Sequence, residues 1–338
     1  MTTPLPQVAV FSLGGTIAST SDGQAGAGGV TPKLGARELV AAVPQLEGVA
    51  TLDPVAFRQT ASGDLTFEDL AVLAGAIEQK LADGAAGVVV TQGTDSIEET
   101  AFVLSLLVDD PRPVVVTGAM RNPTLAGADG PANILSAVQV ACAPQAHGLG
   151  TVVVFNDEIH AARFVRKTHT SSTATFQSPT VGPLGWVVEG RPRIALAPTT
   201  SLPVIAKPSA EETLPAVALL TVSLGDDGRL VDHVMALGYQ GLVVEAFGGG
   251  HVPERMVAAL DTLAASIPVV LASRTGAGEV LTETYGFPGS ERDLLARGLI
   301  AAGALDGLKA RVLLTLLLAT RQDTSGIREA FTRACGLS

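Results

Sequence analysis

Three short segments of this 338-residue chain carry hydroxyl, carboxylate and amine groups in settings where they could do chemistry. Gly14-Gly15-Thr16 follows the apolar run Gln7 to Leu13, Thr94-Asp95 follows Val88-Val89-Val90, and Lys167 ends the run Arg163-Phe164-Val165-Arg166-Lys167. A hydroxyl presented at the end of a buried strand is a nucleophile or a ligand donor. As a helix N-cap Thr16 would need a helix after it, and the Gly-, Ser- and Ala-rich stretch Ser19 to Lys33 predicts a loop instead, a candidate lid. Thr and Asp are common before helices, yet Ser96 and Glu99 stand in capping-box spacing, which leaves Thr94 and Asp95 for another role. A basic run such as Arg163 to Lys167 is ordinarily a solvated face. Only a partner changes that: beside Asp95 and Thr94 the Lys167 amine would become a base for a hydroxyl or a water if burial lowered its proton affinity.

Competing chemistries lack their residues. Gly14-Gly15-Thr16 is not followed by the rest of a dinucleotide fingerprint, and no Gly-Lys-Ser/Thr phosphate loop is present. The five histidines, His147, His160, His169, His233 and His251, have no metal-ligand spacing, so neither a metal nor another cofactor is expected. No GxSxG elbow supports a serine hydrolase.

The elements that must position these groups alternate. Strands are predicted at Gln7 to Leu13, Ala50 to Gln59, Val88 to Val90, Pro113 to Thr117 and Thr151 to Phe155. Helices are predicted near Gly35 to Val43, Phe67 to Leu81 behind a Thr66 cap, Ile97 to Leu107, and from Asp129 to about Cys142. That order implies a mostly parallel sheet with helices on both faces, whose strand ends are where such folds bind ligands. The alternation stops after Phe155, and Leu184 to Ala197 reads as antiparallel ribbon turning at Glu189-Gly190. Proline-containing residues 199–215 read as a linker between a catalytic domain at 1–198 and a smaller α/β domain at 216–338. The latter has predicted strands at Ala216 to Val222, Gly241 to Phe247 and Pro268 to Ser273.

Composition narrows the partner. A hydrophobic fraction of 47% supplies two cores, and a net charge of -11 opposes nucleic-acid or anionic-membrane binding, leaving a small molecule. Cys142 and Cys335 have no pairing or metal spacing and read as reduced packing residues of a cytoplasmic protein.

The segments Leu13-Gly14-Gly15-Thr16-Ile17-Ala18, Thr91 to Thr100 (TQGTDSIEET), Gly118-Ala119-Met120-Arg121 and Ala128-Asp129-Gly130-Pro131 together resemble the bacterial-type L-asparaginase/glutaminase family. Lys167-Thr168, Ala174-Thr175-Phe176, Gly182-Pro183-Leu184-Gly185 and Lys309 to Leu314 extend the resemblance over nearly the whole chain. It implies hydrolysis of the asparagine side-chain amide, with glutamine as a minor substrate. Thr16 would be the nucleophile that forms an acyl-enzyme, and Thr94, Asp95 and Lys167 would form a second group with Lys167 as base. Ser62 and the Gly63 backbone would hold the substrate carboxylate, Asp95 its ammonium, and the Thr94 amide and Ala119 carbonyl the scissile amide. It further implies a homotetramer built as a dimer of dimers, with sites shared between subunits.

Two departures stand out. The family's lid tyrosine precedes a Lys-x-Gly step, here Lys33-Leu34-Gly35, and Gly29 occupies its place. Only Tyr239 and Tyr285 are present, so Tyr285 or Glu283, from a segment that the family brings to a neighbouring subunit's site, is expected to supply the missing function. Gly63 and Gly249 stand where many relatives carry polar side chains, which predicts weaker substrate binding. A non-catalytic amino-acid-binding or sensing protein with the same pocket is the competing reading. Two hydroxyls and a base in one set favour the enzyme.

Overall fold

A computed structural model describes residues 4–21, 30–32, 35–209 and 213–335. It divides into two compact units, Met1–Pro198 and Thr199–Ser338.

In the first unit the strands are β1 (Gln7–Gly14), β2 (Ser19–Ser21), β3 (Val30–Pro32), β4 (Thr51–Thr60), β5 (Gly87–Thr91), β6 (Val114–Thr117), β7 (Thr151–Phe155), β8 (Glu158–Ala161), β9 (Arg166–Lys167), β10 (Phe176–Gln177), β11 (Gly185–Val188) and β12 (Arg191–Ile194). The helices are α1 (Ala36–Ala41), α2 (Phe67–Ala82), α3 (Ile97–Leu107) and α4 (Gly130–Ala141). Eight strands form one sheet in the order β4-β1-β5-β6-β7-β8-β11-β12. The first five are parallel and the last three join antiparallel. The chain passes from β1 to β4 on one side and then to β5 on the other, so strand order reverses at β1/β5. Doubly wound sheets open a ligand crevice at that point.

All five residues of β5 are buried, as the unbroken Val run requires of a strand covered on both faces. Its helix α3 is buried almost all round, by Ile97, Ala101, Phe102 and Leu104 among others. At the carboxyl ends of the strands two threonine hydroxyls add bonds across the sheet: Thr91 Oγ1 donates to Phe11 O at 3.3 Å and Thr117 Oγ1 to Val154 O at 2.7 Å. They extend pairing where the strands begin to diverge into loops.

The second unit holds four parallel strands, β13 (Val217–Thr221), β14 (Gly241–Ala246), β15 (Val269–Ser273) and β16 (Ile300–Ala301), in sequential order. Its helices are α5 (Arg229–His233), α6 (Val257–Ala264), α7 (Glu291–Ala296), α8 (Gly307–Ala319) and α9 (Thr324–Cys335). Tyr239 packs partly buried against this unit's core. The protein therefore comprises two α/β units, the larger with a mostly parallel sheet, as the alternation of elements predicts.

Several local expectations fail. The capping box at Ser96 and Glu99 does not form, because the Ser96 hydroxyl donates instead to Ser62 O at 2.8 Å. The stretch predicted as irregular loop is paired at both ends, β2 running antiparallel to β3, and a single 3-10 turn (Thr16–Ala18) does follow Gly15. Gly29, the place of the absent lid tyrosine, lies outside the described residues, as do Lys33 and Leu34.

Candidate active site

Glycine packing brings the strand-end loops together. Gly15 has φ 84° and ψ -173°, and a Cβ there would lie 2.0 Å from Gly93 N. A Cβ on Gly93 would in turn meet Ser62 Oγ at 2.7 Å. Backbone therefore touches backbone between the turn after β1 and the turn after β5, and the turn after β4 closes against both. No other residue type permits that approach. The contact brings together the turns that carry Thr16, Ser62 and Thr94. Ala119, fully buried after β6, is tied into the same cluster, because a Cβ on its neighbour Gly118 would lie 3.4 Å from Thr94 Cγ2.

Hydrogen bonds then fix the turns. Ala18 N and Ser19 Oγ both donate to Gly15 O, at 3.0 and 2.8 Å, which locks the turn carrying Thr16. The Thr16 hydroxyl is half-buried and has no hydrogen-bond partner among the described residues. Ser62 Oγ accepts from Asp95 N at 3.2 Å, and its own hydrogen remains free to donate to a ligand. Gly63 is unobstructed, with no atom within 4 Å of a would-be Cβ. At Gly249 a Cβ would meet Leu281 Cδ1 at 2.7 Å, so Leu281 occupies the space a side chain there would need.

Lys167 is the clearest link across sequence distance. Its Nζ lies 2.9 Å from Thr94 Oγ1 and 2.6 Å from Asp95 Oδ1. The lysine side chain is 17% exposed and that of Asp95 78%, so the amine is sheltered while the carboxylate faces outward. Lys167 is not a residue of a solvated face. It sits in the ribbon β9/β10, paired with Phe176, whose buried ring packs 4.8 Å from Phe155 at the end of β7.

Local sequence reasoning misses Glu98. Its buried carboxylate accepts from Lys167 N at 3.2 Å, tying the first turn of α3 to the strand that carries the amine. The available signal is a carboxylate at a position that helical spacing buries beside Ala101 and Phe102. Asp129 and Asn133 are missed too. Asp129 accepts from Met120 N and Arg121 N at 3.0 and 2.8 Å, and Asn133 Nδ2 donates to Gly118 O at 2.9 Å, which together fix the loop carrying Ala119.

Glu283 and Tyr285 belong to the second unit, where both are exposed. No group of three or more His, Cys, Asp or Glu residues among those described could hold a metal ion.

Chemically, the first unit offers a hydroxyl with no hydrogen-bond partner among the described residues, a second hydroxyl held by an amine, and an outward carboxylate, on turns packed backbone to backbone. That set suits nucleophilic attack on a carbonyl followed by attack of water.

Comparison with known proteins agrees along the whole chain. A model described as Asparaginase, N-terminal matches residues 7–200, and one described as Glutaminase/Asparaginase C-terminal domain matches residues 216–331. The chain is 37% identical over 330 residues to the L-asparaginase of Bacillus licheniformis, covering 96% of this chain and 98% of that one. It is 33% identical over 334 residues to L-asparaginase 2 of Escherichia coli (strain K12), covering 97% and 93%. The crystal structure of a probable cytoplasmic L-asparaginase from Campylobacter jejuni superposes with a TM-score of 0.85 at 32% identity, over 97% of this chain and 99% of that chain. On motifs, fold and two consecutive family matches alike, the chain belongs to the bacterial-type asparaginase/glutaminase family.

Proposed function

We propose that the protein hydrolyses the side-chain amide of L-asparagine to L-aspartate and ammonia through a threonine-bound acyl intermediate, with L-glutamine as a minor substrate. The observation that carries this reading is the Lys167 amine between Thr94 and Asp95, in the loop cluster that also presents Thr16. A protein that only binds amino acids has no use for a second hydroxyl paired with a base.

In this reading Ser62 Oγ and the Gly63 amide hold the substrate α-carboxylate, and Asp95 takes the ammonium. Thr16 Oγ attacks the amide carbon, and its proton goes to the departing nitrogen. The C–N bond breaks, the nitrogen leaves as ammonia, and an aspartyl ester remains on Thr16. Water then attacks the ester, its proton taken by Lys167 through Thr94 and given on to Thr16 Oγ as the ester bond breaks, so that the Thr16 hydroxyl and the Lys167 base are both regenerated. The Thr94 amide supports the developing oxyanion, and losing one such donor costs about 10²- to 10³-fold in rate.

In the free protein the Asp95 carboxylate lies against the Lys167 amine, so the residue assigned to the substrate ammonium also contacts the residue assigned as base.

Tyr285 or Glu283, from a neighbouring subunit of a homotetramer, is assigned the function of the absent lid tyrosine. The exposed Leu224, Leu230 and Leu237 of the second unit are apolar surface of the kind that subunit contacts cover. Cys142 and Cys335 are free thiols, which suits a reducing cytoplasm. No helix among the described residues is long and apolar enough to cross a membrane.

Ammonia release from L-asparagine, L-glutamine and D-asparagine tests the proposal. Turnover of L-asparagine that Thr16→Ala abolishes supports it, and no turnover of any amide refutes it. If Tyr285→Phe and Glu283→Gln both leave kcat and KM unchanged, the shared-site assignment is wrong.

A further inference from the structure

One buried carboxylate takes no part in the chemistry above. Glu291, at the start of α7, is fully buried. Its Oε1 accepts from Thr284 N at 2.9 Å and from Tyr285 N at 2.6 Å, and its Oε2 lies 3.2 Å from His251 Nε2. Burial works against its ionisation, but the backbone N–H donors of Tyr285, Glu291 and Thr284, with the nearby His251, outweigh it and hold the carboxyl below the ordinary glutamate range.

The surrounding bonds converge on the same short segment. Ser290 Oγ donates to Tyr285 O at 2.8 Å, Ser290 N to Phe287 O at 2.9 Å, and Leu281 N to Gly249 O at 2.9 Å. The His251 ring stands edge-on to Tyr285 and Phe287, with centroids 4.8 and 5.2 Å away. The outcome is a fixed backbone whose large side chains face outward, Tyr285 at 44% and Phe287 at 46% exposure. Ordinary surface loops are not held by a buried charge, and two aromatics displayed on a rigid backbone describe a preorganised recognition element.

We infer that the Glu291–His251 pair is a positioning device that holds the Glu283–Phe287 segment in the conformation it presents to substrate in a neighbouring copy's site. This rests on the assignment of Tyr285 or Glu283 to that site. Glu291 acts through the backbone of Thr284 and Tyr285 and touches no reacting atom. Gly249 belongs to the same device: Leu281 seats in the space that a side chain there would take, and its amide bonds to the Gly249 carbonyl.

The test measures amide hydrogen exchange over residues 281–287 together with kcat and KM for L-asparagine, in wild type, Glu291→Ala, Glu291→Gln, His251→Ala, Tyr285→Phe and Glu283→Gln. Glu291→Ala is expected to speed exchange in this segment and to raise KM, each about tenfold, with a smaller change in kcat. Glu291→Gln keeps an oxygen acceptor for both amides and should restore most of the loss. If Glu291→Ala does not fold, Glu291→Gln and His251→Ala carry the test, and a KM rise with faster exchange is expected for His251→Ala. Unchanged exchange in the folded variants overturns the inference. Faster exchange with unchanged kinetics also overturns it. In that event a KM rise in Tyr285→Phe or in Glu283→Gln leaves the shared-site assignment standing, and silence in both variants removes both readings.

Discussion

Replacing Lys167 by Met separates catalysis from stability. Met keeps most of the apolar stem and removes the amine, so the variant loses the contacts at 2.9 Å to Thr94 and 2.6 Å to Asp95 and little else. The Asp95 side chain is 78% exposed, so its pairing with Lys167 is screened by solvent and contributes at most ~1 kcal/mol to folding. The bond to the buried Thr94 hydroxyl adds ~1 kcal/mol. A net loss of ~1 to 2 kcal/mol lowers Tm by roughly 2 to 8 °C for a unit of this size. Removing the base that activates the second attack costs ~10²- to 10⁴-fold in kcat, or ~2.7 to 5.5 kcal/mol of barrier. The catalytic cost therefore exceeds the folding cost. Steady-state ammonia release at saturating L-asparagine, beside a thermal melt of the same preparation, measures both. A folded Lys167→Met protein with kcat within about threefold of wild type would refute the assignment of Lys167 as base.

Other perturbations read different parts of the account. Ser62→Ala removes the hydroxyl that accepts from Asp95 N and is free to donate to the substrate carboxylate, and should raise KM about tenfold or more with a smaller fall in kcat; an unchanged KM would show that the carboxylate binds elsewhere. Gly15→Ala drives a Cβ to 2.0 Å from Gly93 N at φ 84°, and should cost more than ~3 kcal/mol in a urea melt, whereas a wild-type midpoint would mean that the two turns do not touch. His160 is fully buried, bonded to Ser178 Oγ at 3.0 Å through Nδ1, and burial pushes its imidazole down to about 4, from 6.5. Glu158 Oε2 is 3.3 Å from its Nε2 without hydrogen-bond alignment, too weak a contact to reverse that shift. Between these values the unfolded chain binds a proton that the folded chain does not, so stability falls as pH drops from about 6.5 to about 4, by ~3 kcal/mol, and is unaffected by this group above 6.5. Urea midpoints from pH 7 to pH 4 should fall more steeply for wild type than for His160→Gln, and parallel curves would refute the reading.

Sequence alone carried much of the core and part of the site. A β-branched run bounded by glycines can hardly be other than a buried strand, so β5 and the residues that follow it were legible. The pairing of Lys167 with Thr94 and Asp95 followed only from the resemblance to the family, because it depends on a ribbon anchored through Phe176 far along the chain, a placement no local pattern encodes. Glu98 was hidden for a related reason: on a surface helix a charged residue points outward, and only the near-complete burial of α3 turns it towards Lys167 N. The Ser96 cap misled because spacing suits a capping box, yet tertiary structure offered its hydroxyl a better acceptor at Ser62 O. β8 was missed although Asn156 and Asp157, with φ of 51° and 63°, are a two-residue turn between apolar runs. β16 spans only two residues, too short for any period to emerge. The two glycine departures looked alike in sequence and differ in space, since Gly63 is open and Gly249 is filled by Leu281.

The central claim is that Thr16 carries the acyl group and that Thr94 with Lys167 discharges it. Blocking the second step while leaving the first intact tests it most directly. Thr94→Val, mixed with L-asparagine, quenched in acid and digested for mass spectrometry, should show an aspartyl ester on Thr16, absent in Thr16→Ala. An ester on another residue, or wild-type turnover by Thr16→Ala, would contradict the account.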